Sequence, residues 1–140
     1  TRAQFREVFE KRAADIINPD ICNTGGILEL TQIAAMAEPY FIAVSPHGWN
    51  STGVACAAAV HASAVMPNFL IYEYAISVEK PSRAVCSKYL PVEGGYIELP
   101  KAPGLGIDVD EKKLAQFPYK QFPPRKLRTV EDERKYDRYG

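Results

Sequence analysis

The chain predicts an α/β fold built from a parallel succession of strands and helices. Two observations carry this. Between Ala14 and Glu73, short apolar runs alternate with segments of helical periodicity, the pattern of a parallel sheet covered by helices. Each apolar run also ends at a polar group: Asp20 in NPDICNTGG, His47 in VSPHGWN and Glu73 in NFLIYEY. Ligands and catalytic groups collect at the carboxyl ends of parallel strands, so three such ends in a row suggest a site.

The elements follow in order. Phe5, Val8 and Phe9 share one face of a helix that opens the chain and extends to about Ala13. Asp15–Asn18 is a short strand limited by Pro19. Thr24-Gly25-Gly26 is a tight turn, and Ile27, Leu30, Ile33, Ala34 and Ala37 form the apolar face of a second helix stopped at Pro39. Phe41–Val44 is a continuous apolar run, expected of a strand buried on both faces. After the loop Ser45-Pro46-His47-Gly48, the small residues of Thr52–Ala64 form a helix that lets a neighbour approach closely. Phe69–Tyr72 is expected as a third buried strand.

Beyond Glu73 the pattern changes. Glu79–Lys88 reads as loop with a short helical turn. Glu93-Gly94-Gly95 separates two β-prone runs as in a hairpin, and Asp110 is placed to cap a short helix reaching Gln116. From Phe117 the chain is Pro-rich and then highly charged, the composition of a solvated or disordered tail. The expected division is therefore 1–88 for the β/α units, 89–117 for an extension with the hairpin, and 118–140 for the tail.

Composition bounds the function. The 140 residues are 46% hydrophobic and 24% charged, ordinary for a globular chain with one core. With 17 basic and 17 acidic residues the formal charge is zero, and nothing points to nucleic acid or an anionic membrane. No apolar run approaches the roughly 20 residues of a membrane span. Cys22, Cys56 and Cys86 form an odd set without CxxC spacing, which favours a reducing compartment and a cytoplasmic location. His61, within the small-residue helix, reads as a packed or surface histidine, and Gly25-Gly26 alone is weak evidence of a phosphate turn.

The segments NPDICNTGGILELTQIAAMAE, VSPHGWNSTG, PNFLIYEY and APGLGIDVDEKKL, in that order, resemble the C-terminal half of the mandelate racemase/muconate lactonizing enzyme family of the enolase superfamily. Within it they look most like the galactonate-type sugar-acid dehydratases. The resemblance implies a partial (β/α)8 barrel: the last three β/α units with a C-terminal hairpin and tail, lacking the capping domain and first strands. A complete barrel takes about 250 residues. It also implies Mg²⁺ in the parent enzyme, held by carboxylates on earlier strands that have no counterpart here.

By that resemblance His47 is the acid/base group, suited by an imidazole that exchanges protons near neutrality. Asp20 orients it, and Glu73 hydrogen-bonds the substrate carboxylate or the enediolate, which requires a protonated carboxyl group. Trp49 and Asn50 are placed to contact a sugar-acid chain. Taken without the resemblance, each residue has a plainer reading: Asp20 as a turn or cap residue, His47 and Trp49 as loop residues, Glu73 as a solvent-facing strand end.

The function so implied is that of a C-terminal fragment of a Mg²⁺-dependent lyase that removes an α-proton and a β-hydroxyl from a sugar acid. A racemase or cycloisomerase parent, a silent self-associating fragment and a subunit of a split enzyme are the alternatives. The isolated chain is expected to lack activity and, with open strand edges, to form a dimer.

Overall fold

A computed structural model of the chain describes residues 1–48 and 52–121. Helix α1 (Arg2–Glu10) leads into strand β1 (Ile16–Ile17), and the one-turn helix α2 (Ile21–Thr24) follows. Helix α3 (Ile27–Ala37) runs into a 3-10 turn at Glu38–Tyr40, then strand β2 (Ala43–Val44) and helix α4 (Gly53–Ser63). Strands β1 and β2 are parallel, pairing Ile16 with Ala43 and Ile17 with Val44. The segment after α4 joins on the other side of β2 through a parallel bridge between Val44 and Phe69. Its register is fixed by Leu70 N–H donating to the Val44 carbonyl at 2.9 Å and Glu73 N–H donating to the Pro46 carbonyl at 3.1 Å.

Helices cover one face of this sheet, with α3 packed against α1, α2 and α4. The core between the layers holds Phe9, Ile17, Leu30, Ile33, Ala34, Val44, Ala59 and Ala62. The five-residue face predicted for α3 corresponds to the side on which Leu30, Ile33, Ala34 and Ala37 are buried, while Ile27 at its start stays exposed. The small side chains of α4 let it lie flat, with Ala57 and Ala59 fully covered. Asn68 ties the layers together: its amide donates to the Ala34 carbonyl at 3.0 Å and to the Ile42 carbonyl at 2.9 Å.

The other face is open, and two expectations are corrected by it. Phe41–Val44 is not a strand buried on both faces: Phe41 is 96% exposed in a left-handed conformation, and only Ala43 and Val44 are in the ladder. Phe69–Tyr72 is not a buried strand, because no strand among the described residues lies beyond it, and Leu70 and Ile71 are 54% and 62% exposed. Along β1 the alternation is plain, with Ile17 buried and Ile16 half exposed. An apolar run reports capacity for burial; which face is covered depends on neighbours.

The C-terminal part adds helix α5 (Ile76–Val85), the hairpin of β3 (Val92–Glu93) and β4 (Tyr96–Ile97), and helix α6 (Glu111–Leu114). Helix α5 replaces the expected loop and short turn. Pro81 lies inside it, yet the Glu79–Arg83 ion pair at 2.7 Å and burial of Ser82 and Val85 hold the helix across the missing donor. Helix α1 ends at Glu10, three residues before the predicted Ala13, and Arg12 there takes a left-handed conformation. The predicted tail falls mostly outside the described residues, as do Trp49 and Asn50.

Candidate active site

The parallel register assembles the site. Asp20 and His47 form a parallel bridge beyond the ends of β1 and β2, continuing the pairing of those strands. His47 N–H donates to the Pro19 carbonyl at 3.0 Å, which sets the two residues side by side. Side chains at equal height on adjacent parallel strands point the same way. His47 Nδ1 consequently lies 2.8 Å from Asp20 Oδ2.

The second oxygen of Asp20 is committed locally. Oδ1 accepts from the backbone N–H groups of Cys22 and Asn23, both at 2.9 Å, so Asp20 is the N-cap of α2. The carboxylate is 9% exposed and fixed at both oxygens. Helix α2 ends after one turn because Gly25 and Gly26 both adopt positive φ, at 124° and 93°, which a residue with a Cβ rarely takes. The cap reading and the orienting reading of Asp20 describe one residue using its two oxygens separately.

The far side of the imidazole faces Glu73. His47 Nε2 is 3.6 Å from Glu73 Oε2, and the same oxygen accepts from Gly48 N–H at 3.3 Å. Glu73 is half exposed at its side chain, against 31% for His47 and 10% for Asp20. In this arrangement Glu73 accepts a hydrogen bond from Gly48; the protonated, donating form expected from the sequence is not required by any contact seen here. Asp20, His47 and Glu73 thus meet, with exposure rising along the line.

Gly48 is a residue that sequence reasoning passed over. A Cβ there would fall 1.9 Å from the Glu73 carbonyl oxygen and 2.8 Å from Tyr72 Oη. No side chain fits, so the loop after β2 passes directly against the third segment only because residue 48 is glycine. Tyr72 beneath it is half-buried, with the buried Cys56 thiol of α4 near its phenol. Burial, with Cys56 and then Tyr89 and Asp20 adding to it, pushes the Tyr72 phenol far above its ordinary range, so it stays neutral. Burial likewise raises the Cys56 thiol.

Chemically, this arrangement can orient an imidazole through one nitrogen and leave the other facing an exposed carboxylate. It does not build a metal centre: among the described residues no group of three or more His, Cys, Asp and Glu side chains could hold a metal ion. Both oxygens of Asp20 are already occupied, whereas Glu73 beside His47 commits Oε2 to the Gly48 N–H and is half exposed. Nor is the site enclosed. Two open grooves of about 550 and 600 Å³ flank Phe69 and Leu70, and neither is lined by Asp20, His47 or Glu73. No helix among the described residues is long and apolar enough to cross a membrane.

Known proteins resemble this chain in sequence and fold. A family model described as Enolase C-terminal domain-like matches residues 1–113. A D-galactonate dehydratase of Ralstonia pickettii (strain 12J) is 37% identical over 117 residues, covering 79% of this chain and 30% of that enzyme. A crystal structure of an enolase from Agrobacterium radiobacter, with bound Na and L-malate, superposes with a TM-score of 0.80 at 34% identity, over 94% of this chain and 36% of that one. A mandelate racemase/muconate lactonizing enzyme-like protein from Roseovarius sp. TM1035 gives 0.74 at 41% identity, over 84% and 28%. The chain spans about three tenths of the length of the curated relatives it matches.

Proposed function

The chain belongs to the Enolase C-terminal domain-like family, and from that premise we propose that it carries the acid/base part of a sugar-acid dehydratase site. The observation that carries the reading is the Asp20–His47 contact at 2.8 Å, with Nε2 left facing outward to Glu73. The dehydratase relatives support the substrate class.

The residues act as follows. Asp20 accepts the Nδ1 proton of His47, which fixes the ring and favours the imidazolium when it forms. The neutral ring then has its lone pair at Nε2, where it accepts a proton; as imidazolium it returns one to a departing β-hydroxyl. Loss of the α-proton and of that hydroxyl as water leaves an enol, which becomes a 2-keto-3-deoxy acid. Glu73 hydrogen-bonds the substrate carboxylate or the enediolate, and Trp49 and Asn50 contact the sugar chain. The enediolate needs electrophilic stabilisation, for which the family resemblance implies Mg²⁺. The described donors do not form its site, so in this reading the ligands come from outside the described residues. The chain corresponds to the last three β/α units of the barrel with the C-terminal extension.

Two consequences are measurable. The 140-residue chain, incubated with Mg²⁺ and a panel of sugar acids, is expected to give no keto acid. Turnover that disappears on His47→Ala would show that the chain needs no further residues. The polypeptide as encoded in its source genome is expected to dehydrate a sugar acid and to lose at least a hundredfold in kcat on His47→Ala or His47→Asn. Retention of full activity by both variants would overturn the assignment of His47.

The exposed run Phe69-Leu70-Ile71 pairs with β2 on one side and has no strand beyond it among the described residues. The isolated chain is therefore proposed to cover it by dimerisation. Light scattering is expected to give twice the chain mass; a monodisperse monomer contradicts this.

A further inference from the structure

The contact between Glu73 and His47 has no regular strand to hold it. It depends on a loop, and the packing beneath that loop assigns a function to a residue outside the proposed acid/base group. We propose that Tyr72 is a positioning residue: packed between the core and Gly48, it sets the Gly48 N–H that holds the Glu73 carboxylate beside His47 Nε2. This rests on the proposed acid/base reading and extends it.

Three observations carry it. Gly48 N–H donates to Glu73 Oε2 at 3.3 Å, the same oxygen that lies 3.6 Å from His47 Nε2, so Gly48 is the link between the two side chains. The space behind Gly48 is filled by the Tyr72 ring, since a Cβ there would lie 2.8 Å from Oη and 2.9 Å from Cζ. The ring itself is anchored, because Tyr72 is half-buried and packs against the core cluster to which α4 contributes Ala55, Ala59 and Ala62. Tyr72 and Glu73 are successive residues and lie on opposite faces of the extended segment. The chain thereby supports from the helix side, with Tyr72, the loop that meets Glu73 on the open side.

The arrangement also separates the two contacts of His47. Asp20 is held by the β1–β2 register and by capping α2, neither of which uses Tyr72. Removing the support should release Glu73 and leave Asp20 in place. A general loss of structure would release both.

The test uses the 140-residue chain and needs no catalysis. His47 ring nitrogens are followed by NMR, together with hydrogen exchange of the Gly48 amide. In the parent chain, Glu73→Gln is expected to shift the Nε2 resonance and Asp20→Asn the Nδ1 resonance. In Tyr72→Leu the Nε2 response to Glu73→Gln is expected to vanish, with Gly48 exchange at least tenfold faster, while the Nδ1 response to Asp20→Asn persists. Tyr72→Phe, a milder change that keeps the ring and removes the Oη that meets Gly48, should reduce the Nε2 response. An Nε2 response unchanged in both Tyr72→Leu and Tyr72→Phe overturns the positioning role and leaves the acid/base reading standing. Loss of both responses together in Tyr72→Phe also overturns it, since Tyr72 then supports the fold at large. An absent Nε2 response in the parent chain removes the Glu73–His47 contact itself and sinks both proposals.

Discussion

Asp20 and Asp110 occupy the same local position and end up with different work. Each is the N-cap of a four-residue helix, α2 and α6 respectively. Each uses Oδ1 to accept backbone N–H groups, from Cys22 and Asn23 in one case and from Lys113 in the other. The difference is the second oxygen. At Asp110 it meets only the exposed ammonium of Lys113, at 3.6 Å. At Asp20 it meets an imidazole that stands 27 positions later in the sequence, delivered by the parallel pairing of β1 and β2. A cap is a local device; an oriented histidine requires the cap and a sheet register together. The comparison explains how one carboxylate can cap a helix and hold an imidazole at once, because its two oxygens face different partners.

The comparison can be broken at its tertiary half first. Gly48→Ala places a methyl group against the Glu73 carbonyl and the Tyr72 phenol, and the backbone oxygen cannot yield as a flexible side chain does. A loss of about 3 kcal/mol in urea-induced unfolding is expected, at the upper end of overpacking costs, together with loss of the Glu73–His47 contact.

Asp20→Ala should come next. It removes the α2 cap and leaves the inner nitrogen of His47 without its partner, for about 2 kcal/mol in the same experiment. Asp20→Asn keeps an oxygen for the cap and is expected to cost less than half of that. Equal losses for the two would mean that the carboxylate contributes through His47 alone. Glu73→Gln, at the exposed end of the line, should change stability by no more than about 0.5 kcal/mol.

The smallest effect belongs to the control. The N–H of Lys113, followed by the charge of the Lys113 side chain, holds the Asp110 carboxyl below the usual aspartate range. Because the folded-state value is the lower one, the stabilisation is present above the unfolded value of about 4 and disappears as pH falls through the folded one. The protection of the Lys113 and Leu114 amides, taken relative to the intrinsic exchange rate at each pH, is therefore expected to fall on acidification. Asp110→Asn should flatten that response and leave α2 unaffected.

Legibility in the sequence follows the same division between local and tertiary. Helix α3 was readable because Leu30, Ile33, Ala34 and Ala37 repeat at helical spacing, and the hairpin because Gly94-Gly95 stands between β-prone runs. The cap at Asp110 was readable for the same reason. Helix α5 was not, since Pro81 argues locally against a helix that the Glu79–Arg83 pair and the burial of Val85 sustain. The burial of Phe69–Tyr72 was misjudged because four apolar residues say nothing of whether a neighbour exists. Asp20, His47 and Glu73 were singled out as strand ends, and the register brings them together. Gly48 and Tyr72 were passed over. A glycine beside the histidine was the available signal, but its meaning lies in a contact with residues 72 and 73 that no local pattern displays.

The central claim is that Asp20 fixes His47 through Nδ1 and leaves Nε2 to exchange protons. The most direct measurement is the tautomer of neutral His47, read from its ring ¹⁵N shifts in the 140-residue chain. The account predicts a proton on Nδ1 and a bare Nε2, with the two tautomers mixing in Asp20→Asn. A neutral ring protonated at Nε2 and bare at Nδ1 would contradict it.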